Sequence, residues 1–217
     1  MSAAPRVRLP LHAHVAQLAL LALAGFVLIA LWTQWARQDL DWVQATLSLY
    51  LHGPWGLALR TAYCVLALAI MLLAWSLYAA SRSPRRSAAA PLLFCIAGLG
   101  LMGVAIGDSW LPEQAPLLAP LVHGLAANTA FLCVSVAMLL QSWYLRADPQ
   151  WTRWASMAWW WAWLCFALLW LHVLWRGPPR GAGQKLVIAA VVLWLGVAAL
   201  QSWRQARRAA AAEACRH

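Results

Sequence analysis

A chain of 217 residues that is 64% hydrophobic and 10% charged carries well under half the charge of an average soluble domain, about 25%, which excludes a water-soluble globular fold. The net charge of +10 sits in short loops and a tail, so it speaks to membrane topology and not to nucleic-acid binding. Cys64, Cys95, Cys133 and Cys165 each fall in a different apolar run, with Cys215 in the tail and no C-x-x-C. That spacing suggests neither a disulfide framework nor a thiolate metal site.

Arg6 and Arg8 precede an apolar run that is too long for a signal core and has no clear cleavage site, so it reads as a first spanning helix that stays. It is the first of six runs of roughly 20 apolar residues, each long enough for a bilayer core: 15–35, 57–78, 88–107, 117–141, 154–175 and 186–203. The fold expected is all-α, an integral membrane six-helix bundle, because only helices satisfy every backbone polar group within one segment in lipid. It divides into a short N-terminal segment (1–14), a spanning domain (15–203) and a basic tail (204–217). With the N-terminus inside, the inner loops and tail hold eleven bases and two acids, and the outer loops five bases and four acids. The positive-inside rule then places both termini in the cytoplasm.

Between the first two runs lies D-L-D-W-V-Q-A-T-L-S-L-Y-L-H-G-P-W-G, residues 39–56. Asp39 suits a cap, Asp41 the first turn, and Gly53-Pro54 a stop. A helix over 41–52 puts Asp41, Gln44, Ser48 and His52 on one face beside an apolar stripe, a short amphipathic interfacial helix in the first outer loop. The third span carries Gly100, Gly103 and Gly107, spacing that permits close helix approach, and ends on Asp108. The fourth brings His123 and, deeper, Asn128 among small residues. The fifth crowds Trp159, Trp160, Trp161 and Trp163 together and places His172 near its outer end. The sixth opens with Gln184 and Lys185.

The outer half thus gathers Gln44, Ser48, His52, Arg60, Asp108, Glu113, His123, His172, Gln184 and Lys185, while the inner halves of the spans hold almost no ionisable residue. Costly polar groups at such depths point to function. His52 and His172 also fit solvated interfacial side chains, and Asp108 a cap or a partner of Lys185. Three chemistries compete with simple binding. Ser48, His52, Asp108 and His123 are the catalytic candidates of a membrane-embedded hydrolase, since a nucleophile needs a base in reach. His52, His123, His172 and Asp108 are a loose metal set, and His123 with His172 a haem pair. The leading expectation is an outward-facing polar pocket that binds a small polar or anionic ligand or a membrane lipid headgroup. Gln44, Arg60, Asn128, His172, Gln184 and Lys185 are its binding residues, with no cofactor specified.

Three spaced motifs carry a resemblance. They are Gln44-x-x-x-Ser48 followed by Gly53-Pro54-x-Gly56; Gly107-Asp108 followed by His123-Gly124-x-x-Ala127; and Gly181-x-x-Gln184-Lys185. Over about residues 14–204 the chain resembles the domain of unknown function 998 family of multi-pass bacterial and archaeal membrane proteins. It departs in lacking a proline before Asp108 and in having Lys185 where arginine is common, which removes a planar bidentate fork. The resemblance implies an inner-membrane bundle of six to seven helices and supplies no reaction.

Overall fold

The computed structural model describes residues 11–175 and 177–215, without the side chains of residues 108, 109, 152, 153 and 214. Six long helices carry the chain: α1 (Leu11–Ala36), α2 (Gly56–Ala80), α3 (Ala89–Gln114), α4 (Ala119–Leu145), α5 (Thr152–Leu174) and α6 (Arg180–Ala214). All six are long and apolar enough to cross a membrane, and the described residues contain no strand. The protein is a multi-pass helical membrane protein.

The helices form a ring in chain order, each packed on its sequence neighbours, with α6 closing on α1. Residues 37–55 roof one end, here termed the lid end; α1 begins and α6 finishes at the opposite, base end. Gly100 sets the α3–α4 seam: a Cβ there would stand 2.8 Å from the Ala126 carbonyl oxygen and 3.0 Å from the Ala130 nitrogen. Gly103 is looser, 3.3 Å from the Ala126 Cβ, and Gly107 meets only side chains. Close approach therefore occurs one turn deeper than a Gly103-x-x-x-Gly107 contact would place it. Two indoles pin α5 to α6: Trp161 Nε1 donates to the Ala190 carbonyl at 2.9 Å, and Trp194 Nε1 to the Ala158 carbonyl at 3.0 Å. Trp160, by contrast, points outward and is 70% exposed.

At the base end Asp148 is buried. Its carboxylate accepts from the Ser81 hydroxyl at 3.1 Å, from the Arg82 N–H at 2.8 Å and from the Gln150 N–H at 3.0 Å. One acid thereby ties the α2–α3 loop to the α4–α5 loop, with a buried carboxylate satisfied by three donors. The basic tail is not a separate segment, because α6 runs unbroken through Arg204, Arg207 and Arg208 to Ala214.

The lid corrects one expectation. A continuous helix over 41–52 does not form; residues 47–51 make a single 3-10 turn, and turns precede it. The cause is competition from α6. In an α-helix the Leu47 N–H would bond to the Val43 carbonyl. Here Val43 O accepts from the Ala182 N–H at 2.8 Å, and Leu47 N–H donates to the Gln184 Oε1 at 2.8 Å. The Trp42 carbonyl accepts from the Lys185 ammonium. Asp41 adds a local turn, its Oδ1 accepting from the N–H of Val43 at 2.7 Å and of Gln44 at 3.3 Å. Tertiary partners have taken the groups that helix formation needs.

Candidate functional site

Each polar residue of the lid end is placed by the way the lid is held. Gly181 lies directly under the lid backbone, where a Cβ would overlap the Ala45 carbonyl. That lets the first turn of α6 reach Val43 and Leu47. From the other side Arg37, just past α1, donates Nη1 to the His52 carbonyl at 2.6 Å and grips Asp39 bidentately, both nitrogens at 2.7 Å. Gly53 takes a left-handed φ of 77° and Trp55 one of 67°, which turns the chain sharply into α2. The Arg37 guanidinium beside it holds the Asp39 carboxyl below the usual carboxylate range. Burial pushes the Tyr50 phenol up; its ring lies 5.2 Å from the Lys185 ammonium, a cation–π contact.

Beneath the lid, inside the ring, is a cavity of about 90 Å³. Ser48 from the lid, His123 from α4 and Gln184 from α6 supply its polar groups, and Tyr63 from α2 also lines it. His123 sits four residues into α4, about 6 Å below the helix start at 1.5 Å per residue. The remaining walls are apolar and include Phe26, Leu66, Ile70, Leu101, Val134 and Leu195. From Gln184 to Leu195 the cavity follows α6 for eleven residues, about 16 Å. It is a narrow apolar shaft with donors and acceptors only at its lid end, a shape that suits an amphipathic guest.

The structure thus brings Ser48, His123 and Gln184 together. It distributes the other candidates elsewhere. His52 lies on the exposed rim, at the end of the 3-10 turn. Ser48 Oγ lies 3.1 Å from Thr46 Oγ1. Gln44 is exposed on the lid, its backbone against Gly181. Arg60 is half-buried in the first turns of α2. Asn128 is exposed on the outside of α4, away from the cavity lining. His172 lines a separate cavity with Arg180 and Gly183 where α5 meets α6, so it does not face His123 across one space. Lys185 clamps the lid and lines the α1–α6 seam. The Asp108 side chain lies outside the described residues. Among the described residues no three His, Cys, Asp or Glu side chains gather as a metal would require.

Two residues of this site escape a sequence reading. Arg37 looks like one more loop base, and only the fold shows that it joins α1 to the lid. Tyr63 is one aromatic residue in an apolar run; its spacing of three from Arg60, which sets both on one face of α2, was the available signal. A family model described as "Protein of unknown function (DUF998)" matches residues 20–201. No curated protein and no solved structure matches the chain.

Proposed function

The chain belongs to the domain of unknown function 998 family, and from that premise we propose that it is a lipid-binding protein of the bacterial inner membrane. Its lid end faces away from the cytoplasm, and its cavity holds an amphipathic lipid. The polar part of the guest lies against Ser48, His123 and Gln184, and its apolar part fills the shaft between Ile70, Leu101 and Val134. Arg60 and Lys185 provide positive charge around the lid for an anionic group. His123 supplies a hydrogen-bonding ring beside Ser48 and Gln184. Arg82, Arg85, Arg86 and Arg146 at the base end support the orientation.

The observation that carries this reading is the polarity gradient of the cavity, polar at the lid and apolar for the rest of its length. A small polar solute would leave most of that wall without a complementary surface. Native mass spectrometry of the protein released from membranes tests it. Wild type should retain a lipid mass, and Ala127→Phe, which fills the shaft, should lose about tenfold of it, the effect of 1.4 kcal/mol. Equal retention by both would refute the reading.

Ser48 and His123 lining one cavity favours a second reading, hydrolysis of an ester brought to its mouth. A fluorophosphonate probe should then label Ser48, with labelling lost in His123→Ala. An unlabelled Ser48 in lipid-loaded protein would remove this reading and leave the binding one.

A further inference from the structure

Behind Phe26 lies a second space. A groove of about 790 Å³ runs along the seam between α1 and α6, the seam whose two helices no loop joins. Val27 and Leu31 from α1 and Ala189 from α6 line its body, and Arg37, Asp41 and Lys185 line its lid end. Phe26, Ile188 and Val192 line both this groove and the central cavity. They are a partition one side chain thick. Ile188 and Val192 are β-branched and stiff. Phe26 is the partition's single aromatic and leans edge-on against Tyr63, ring centroids 5.6 Å apart.

The charges at the groove's head differ in how they are committed. Arg37 is held bidentately by Asp39, and the Asp41 carboxylate accepts from two lid N–H groups. Lys185 forms no salt bridge among the described residues, although the Asp41 charge attracts it and the Tyr50 ring faces it. Its ammonium has three donors, of which the Trp42 carbonyl takes one. An ammonium with donors in hand, at the head of an apolar groove that opens sideways, complements a phosphate joined to an acyl chain.

We propose that the α1–α6 seam is a lateral port. An anionic glycerophospholipid docks with its phosphate at Lys185 and an acyl chain along Val27, Leu31 and Ala189. Rotation of Phe26 then admits that acyl chain sideways to the cavity. The inference rests on the lipid reading above and adds to it a route, a headgroup charge and a gate.

The test uses full-length protein in nanodiscs that contain phosphatidylglycerol or phosphatidylcholine with a photoactivatable acyl chain, the cross-links being mapped by peptide mass spectrometry. Wild type should label at Leu31 and Ala189 in the groove and at Leu101 and Val134 in the cavity. Phe26→Ala should raise cavity labelling relative to the groove, and Phe26→Trp should lower it; Phe26→Leu replaces the alanine variant if that one does not fold. Lys185→Gln should cut the preference for phosphatidylglycerol by about fivefold, the worth of one base near an anionic lipid. Cavity labelling that ignores all changes at Phe26, or a groove that stays unlabelled, would overturn the port. Loss of lipid from Ala127→Phe together with a bare groove keeps the lipid reading and removes the port. Lipid retained in Ala127→Phe removes the lipid reading whatever the groove does.

Discussion

Gln184 is a polar side chain near the head of an apolar helix, and its amide oxygen satisfies the Leu47 N–H that helix formation would have turned toward Val43. Arg37 and Asp39 show the same economy of place, two residues apart and joined by two bonds. Asp39 titrates below its ordinary range because of that pair. A depressed native value means the contribution is fully present above the ordinary carboxylate pKa and is lost as pH falls through the lower native one. The melting-temperature gap between wild type and Asp39→Asn should therefore stay constant from neutrality to about pH 4 and close below it. A gap that widens on acidification would contradict the pair's role. Because Asp39 is exposed, added salt should narrow the gap as well. Asp148 is the buried counterpart. Removing its carboxylate strands donors from two loops, so Asp148→Ala should lower stability by about 2 kcal/mol. Asp148→Asn, which keeps an acceptor, should recover part of that in a thermal melt. Sequence alone showed Asp148 only as an acid among inner bases, since nothing local to it announces partners 66 and 67 residues away.

At the scale of elements, the six spans were legible because apolar length is a property of the segment itself. The lid was not, and residues 41–52 show why. Their spacing is helical, yet α6 supplies better partners for Trp42, Val43 and Leu47 than the lid could supply to itself. A helix of twelve residues, about three turns, has little cooperative strength to resist that exchange. Gly181 makes the exchange possible, so Gly181→Ala should act on the lid and not on the spans. The added methyl meets backbone that cannot yield cheaply, and the expected loss is about 1–3 kcal/mol. Hydrogen exchange should quicken at residues 41–47 and stay unchanged in α3 and α4. Protection that falls evenly across the molecule would mean that Gly181 serves the bundle as a whole. The motif Gly181-x-x-Gln184-Lys185 and the motif Gln44-x-x-x-Ser48 thus resolve into one structural unit, two halves of a clasp that lie about 140 residues apart.

For the whole molecule, the ring order and the cavity were beyond sequence reading, because period and hydropathy say which residues leave water and not which helices meet. His123 was visible as a polar residue inside a span and Gln184 as one at the head of another; that they share a shaft with Tyr63 and Phe26 depends on ring closure. His172 had the same sequence credentials and lines a different space. The orientation has its own test. A reporter fused after Pro84 should read cytoplasmic, and an extracytoplasmic signal there would turn the cavity mouth inward and end the reading offered for it. Closure of the ring also sets an order of assembly. During synthesis α1 is made before α6 and keeps one flank open until α6 arrives to cover it. The same arrival brings Ala182, Gln184 and Lys185 to the lid, so the lid has no clasp while the first five helices stand alone. Contacts separated by most of the chain form late and cost the most loop entropy. The nascent protein therefore passes through a five-helix stage, open to lipid on one side and with its roof held by Arg37 and the chain ends of α1 and α2, before insertion of α6 closes the wall and fastens the roof together.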